Sequence, residues 1–178
     1  MNFLKIKTMK IGGIVILTAL ITGCTSPKEK LREQIASAEK ELTTQYDMDK
    51  LSILEGLYQQ YINAYPTDSL SQEYLFRSGS INISLKQGAN ALRDFTNYTN
   101  LFPEGKRIAE AYFYKAHVYD EIMHDFSAAK TAYYDFLSRF AEHTLAEAAA
   151  FSLQYLGKSN DEIIALFEQQ NAEITEQN

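Results

Sequence analysis

The feature that most constrains this chain is a duplication. Tyr74, Phe76, Ser78 and Ile81 recur 38 residues later as Tyr112, Tyr114, Ala116 and Tyr119. At the same shift Ala91, Phe95, Tyr98, Phe102 and Pro103 recur as Ala129, Tyr133, Phe136, Phe140 and Ala141. A third, partial copy lies 37 residues upstream, with Tyr58, Tyr61, Tyr65 and Pro66 opposite Phe95, Tyr98, Phe102 and Pro103. Spacing within a copy is helical: Ala91, Phe95, Tyr98 and Phe102 step by four, three and four and share one helix face. A small residue followed by rings is a packing pattern, because the small residue lets two helices approach and the rings fill the space beyond. Proline after the last ring cannot continue the helix. Stacked neighbouring units bury the faces that a single unit leaves exposed.

Extending this pattern predicts eight helices in four antiparallel pairs, over 27–44, 48–65, 70–85, 89–102, 106–123, 127–140, 145–156 and 161–170. Asp47 is placed to cap the second helix. The strings Ser69-Leu70-Ser71-Gln72 and Ser159-Asn160-Asp161-Glu162 fit capping boxes for the third and eighth. Gly157 suits a helix stop. There is no strand signal and no glycine-rich phosphate loop. Residues 171–178 are polar and are expected to form a flexible tail.

These features resemble the tetratricopeptide repeat, over 74–141 in full and over 51–66 in part. The resemblance implies an all-α solenoid of about four helix pairs, with a concave groove lined by the first helix of each pair. The unit departs from the repeat's usual length of roughly 34 residues. Arg77 and Lys115 stand where an apolar residue is usual, and Ala141 replaces the proline. Longer units of this kind are similar to those of periplasmic repeat proteins, among them the lipoprotein of the outer-membrane β-barrel assembly machine and the Tol-Pal coordination protein.

The N-terminus carries a separate message. Lys5, Lys7 and Lys10 precede an apolar run, 11–21, interrupted only by Gly12, Gly13 and Thr18. A basic stretch before a short apolar one is the layout of an export signal, and the run falls short of the roughly 20 residues a bilayer span requires. It ends in Ile21-Thr22-Gly23-Cys24, which resembles the lipobox of bacterial lipoproteins. That resemblance implies a signal peptide over 1–23, cleavage before Cys24, and acylation of Cys24 by diacylglycerol and a further fatty acid. Residues 24–28 then form a tether to a helical domain over 29–170. Several acyl chains at about 0.8 kcal/mol per buried CH₂ make release from the membrane very slow. Thr25 and Ser26 follow the cysteine, where lipoproteins kept at the inner membrane often carry aspartate, so an outer-membrane, periplasm-facing location is expected.

Charge and composition narrow the function. The chain carries net charge −6, and loss of the three signal lysines makes the remainder more acidic. Nucleic acid is a poor partner for such a surface, since its binding needs clustered Lys and Arg. Cys24 is the only cysteine, so its modification leaves no thiol for disulfides or zinc. His117, His124 and His143 show no metal-ligand spacing, and no nucleophile elbow is present. No cofactor, metal or catalytic residue is therefore expected. Repeat geometry directs Leu75, Gly79, Asn82, Phe113, His117 and Asp120 toward the concave groove, where a partner peptide could dock. The expected role is a membrane-anchored scaffold that binds other envelope proteins or peptides, in outer-membrane protein assembly. Cell-wall or Tol-Pal coordination is the alternative, ahead of a small-ligand carrier or an enzyme.

Overall fold

The computed structural model describes residues 25–176, so residues 1–23, expected from the sequence to be a signal peptide, and Cys24 lie outside the described residues. Within them the structure is all-helical and holds no strand. The helices are α1 (Pro27–Thr44), α2 (Met48–Ala64), α3 (Ser69–Ser84), α4 (Gly88–Leu101), α5 (Ile108–His117), α6 (Phe126–Arg139), α7 (Ala146–Gln154) and α8 (Asn160–Glu176). A π-helical turn, Val118–Ile122, continues α5.

Local chemistry explains most boundaries. Ser26 accepts a hydrogen bond from the Glu29 amide and Pro27 opens α1, which suits a position whose N–H would be unpaired anyway. Asp47 caps α2 as its sequence position predicts, accepting from the amides of Asp49 and Lys50. Helix α3 differs from expectation: Asp68 is the cap, accepting from the Leu70 amide, and Ser69 is the first helical residue. A charged carboxylate accepts more strongly than a hydroxyl and complements the positive end of the helix dipole. At α8 the predicted box forms, with the Ser159 amide donating to Glu162 Oε2 at 2.7 Å and the Glu162 amide donating to Ser159 Oγ at 3.3 Å. This helix runs to Glu176, past the end predicted at 170, so most of the stretch expected to be a flexible tail is helical.

Lys86, His124 and Gly157 follow the ends of α3, the π turn and α7, and all three adopt positive φ, at 58°, 53° and 75°. Lys86 and His124 are one repeat length apart, so the duplication reaches the backbone. Glycine takes this conformation without strain and L side chains do not. Lys86→Gly is expected to raise stability by about 0.5–1 kcal/mol, the relief of left-handed strain exceeding the added chain entropy. An unchanged urea midpoint would contradict it.

From α1 to α7 each helix packs chiefly against the one before or after it in sequence. Three apolar clusters result. Leu31, Ile35, Leu54, Tyr58 and Tyr61 join α1 to α2 and α3. Leu75, Phe76, Phe95, Tyr98 and Val118 join α3, α4 and α5. Ala116, Ala129, Tyr133, Phe136 and Ala149 join α5, α6 and α7. The duplicated second-helix positions are the interior ones: Ala91, Phe95, Tyr98, Ala129, Tyr133 and Phe136 are at most 1% exposed. Their rings meet edge-on or stacked, as in Phe76–Phe95 at 5.4 Å and Phe95–Tyr114 at 5.5 Å, and such pairs add about 0.5–1.5 kcal/mol beyond area burial.

The connections gather at two opposite ends. At one end the start of α1 meets the α2–α3 connection, where Lys28 forms an ion pair with Asp68 and lies over the Tyr65 ring. The α4–α5 connection joins the same end, since Tyr98 Oη accepts from Gln72 Nε2 and from the Arg107 amide. The α6–α7 connection lies beside it, with Phe140 on Tyr112 at 5.5 Å. The other end carries the three positive-φ residues.

The ion pair has a pH signature. Lys28, with the Leu70 amide and the Tyr61 hydroxyl, holds the Asp68 carboxyl down at about 2. A carboxyl depressed in the folded state stabilises fully above its ordinary value of 3.8 and loses that contribution as pH falls toward 2. Thermal melts of Asp68→Asn should therefore vary less with pH than the parent across that acid window. Parallel curves would show that the pair contributes nothing to docking of α1.

Candidate functional site

A cleft of about 500 Å³ opens at the left-handed end, between the π turn, the start of α6, the last turn of α7 and the start of α8. Comparison of the two copies explains its position. Gly88 opens α4, and a Cβ there would lie 2.8 Å from Met123 Cγ, so the following unit closes directly onto it. One repeat later the equivalent position is Phe126, 42% exposed and facing Gly157. A ring where the first copy has no side chain keeps the last unit at a distance. The space left is the cleft.

One wall is polar. The π turn closes through the Met123 amide to the Val118 carbonyl at 3.0 Å, and the Asp125 amide reaches the Tyr119 carbonyl at 2.9 Å. This wider coil turns Asp120 inward, where it is 8% exposed and accepts from the Tyr133 hydroxyl at 3.2 Å. Burial pushes the Asp120 carboxyl up, and the neighbouring Glu121 adds to the rise. Burial pushes the His117 imidazole down, against the pull of Glu121 and Asp120. Glu121 and His124 stand on the rim, with Lys158 and Ser159 opposite.

The other wall is aromatic. Phe151 is 49% exposed and packs on Tyr155 at 4.7 Å, and Tyr155 contacts Phe167 at 5.6 Å. Exposed rings beside carboxylates suit a peptide carrying apolar and basic side chains. Among the described residues, no group of three His, Cys, Asp or Glu could hold a metal ion.

The six residues expected to line a concave groove are not together on an open surface. Leu75 and Asn82 are 2% and 0% exposed, and Gly79 is buried with the Phe95 ring where its Cβ would be. Helix α3 has α2 on one side and α4 on the other, so its second face is interior rather than a groove wall. Asp120 is likewise buried, although it reaches the cleft. Phe113 and His117 keep partial exposure, their rings parallel at 6.4 Å, and Phe113 leans on Phe136 at 5.7 Å. The open-groove assignment is corrected for Leu75, Gly79, Asn82 and Asp120.

Asn82 belongs instead to an enclosed polar cluster around Asp94, which is 0% exposed. Asp94 Oδ2 accepts from Ser78 Oγ at 2.7 Å and Asn82 Nδ2 at 2.9 Å. Gln59 Nε2 donates to both carboxylate oxygens, and the half-exposed Arg93 guanidinium donates to Oδ1 at 3.0 Å. Glu55 lies beside the cluster, within 3.2 Å of Ser78 Oγ. Four donors around one buried carboxylate is a structural arrangement that satisfies the charge internally.

No protein-family model matches the chain, and a search of curated proteins finds no match. The geometry therefore stands by itself as the ground for assigning a role. Phe126, Phe151, Tyr155 and Lys158 were missed in the sequence as site residues. The signal that could have found the cleft is the exchange of Gly88 for Phe126 between aligned copies, where a residue with no side chain gives way to a large ring.

Proposed function

We propose that this chain is a lipid-anchored, tetratricopeptide-like scaffold of the bacterial envelope that binds other envelope proteins through the cleft at its left-handed end. The observation that carries this reading is the exposed aromatic rim of Phe126 and Phe151 beside Asp120 and Glu121. Rings at the edge of a concave site supply contact area at low entropic cost, and rings are what binding hot spots favour. Burial of the duplicated positions favours stacked helix pairs as the architecture, and neighbour-to-neighbour packing favours a solenoid. The run ending at Cys24 supports export and outer-membrane anchoring. A role in outer-membrane protein assembly accords with the repeat length and the anchor.

Photo-crosslinking in cells from positions 126 and 151, with exposed position 53 on α2 as the control, tests the reading. The expected result is one envelope protein caught at both cleft positions and absent from the control. Capture of the same species at all three positions, or a bound small molecule in place of protein, would overturn it. Cys24→Ala should leave a folded protein that no longer sediments with membranes.

A further inference from the structure

The two ends of the domain differ in what they could face. At the end that holds the start of α1, Lys28, Lys106 and Arg107 balance Asp68, Glu104 and Glu142. Leu101 protrudes there, 59% exposed in the last turn of α4. At the left-handed end the acidic Glu41, Asp47, Asp49, Glu121, Asp125, Asp161 and Glu162 still outnumber the basic Lys40, Lys50, Lys86 and Lys158. An acidic surface is repelled by anionic lipid and a neutral one is not.

Chain reach selects between these ends. Only Thr25 and Ser26 separate Cys24 from α1, and at about 3.5 Å per residue Cys24 lies within roughly 10 Å of Pro27. Ser26 is already fixed as the helix cap. The first turn of α1 is pinned to its neighbours by Lys28, through Asp68 and the Tyr65 ring, so α1 does not swing out as a longer arm. At 1.5 Å per residue α1 itself extends about 27 Å. The far end of the domain is therefore well beyond the anchor's reach.

We propose that the end formed by the start of α1 and the α2–α3, α4–α5 and α6–α7 connections lies against the lipid surface, with the cleft facing away from the membrane. The proposal rests on the reading that Cys24 carries the lipid. It gives the partner a direction of approach: a protein docking in the cleft comes from the aqueous side and need not compete with the bilayer. Leu101 is then the side chain best placed to enter the headgroup region.

Fluorescence quenching tests this with the acylated full chain. With Cys24 blocked by its lipid, Leu101→Cys and Ala89→Cys each supply one free thiol, at opposite ends of α4 and both exposed. Each variant is labelled and bound to phosphatidylethanolamine–phosphatidylglycerol vesicles whose headgroups carry a quencher. The label at 101 should be quenched severalfold more than the label at 89. Equal quenching, or stronger quenching at 89, on vesicle-bound protein would overturn the orientation while leaving the anchor intact. A chain that carries no acyl mass and fails to float with the vesicles would overturn the anchor, and the orientation with it.

Discussion

Asp94→Ala is expected to destabilise the domain by about 3 kcal/mol, lowering the melting temperature by roughly 10 °C. The carboxylate is fully enclosed and collects hydrogen bonds from Ser78, Asn82, Gln59 and Arg93. Removing it leaves Ser78 and Asn82 with donors in a dry space, and a buried donor without an acceptor costs about 1–3 kcal/mol. Glu55 limits the damage, because it already lies within 3.2 Å of Ser78 Oγ and 3.4 Å of Asn82 Nδ2. Asn82 Oδ1 has no hydrogen-bond partner, so it is one further acceptor to which a freed donor can turn. Asp94→Asn should cost less, since one oxygen remains to accept. Chemical denaturation of the two variants checks both size and order. A loss below about 1 kcal/mol for alanine would show that water already shares the cluster.

The second large effect is steric. Gly79 faces the flat of Phe95 across the α3–α4 crossing, where an added Cβ would lie 2.8 Å from Phe95 Cζ. Phe95 cannot retreat easily, because Phe76 and Tyr114 pack on it at 5.4 and 5.5 Å. Gly79→Leu is therefore expected to destabilise by about 3 kcal/mol through overpacking. Phe95→Ala should lose about 3–5 kcal/mol through its cavity. Combined, the two changes should cost less than their sum by about 1–3 kcal/mol, because the new leucine enters the space the ring vacates. Strict additivity in that cycle would mean that the two positions do not share the crossing.

The helices were legible because the 38-residue duplication fixes rings and small residues at helical spacing; Ala91, Phe95 and Tyr98 and their mates are buried as that spacing implies, whereas Tyr112, Tyr114 and Tyr119 keep partial exposure. The caps at Asp47 and Ser159 were legible for the same kind of local reason. Asp68 is not legible as the α3 cap because local pattern favours the serine after it, whereas Lys28 and Tyr61 reinforce the aspartate from 40 and 7 residues away. The π turn leaves no compositional mark, since apolar spacing over 106–123 reads as one continuous helix. The candidate groove failed on a different point. Spacing identifies two faces on a helix but does not say how many neighbours cover them, and α3 has them on both sides. Asn82 and Asp94, twelve residues apart, show the consequence: two polar side chains that look solvated in the sequence are enclosed by the next helices.

Helix contacts run mainly between neighbours in sequence, and side chains reach at most one helix further, which bears on how the chain reaches its final form. Short loops close quickly and non-local pairing slowly, so a topology of this kind lowers the entropic barrier at each step. The first two helices can condense while later segments are still being delivered, and every completed pair then serves as the template for the next. Assembly can thus proceed in order from one terminus, with no stage at which distant parts of the chain must wait for each other.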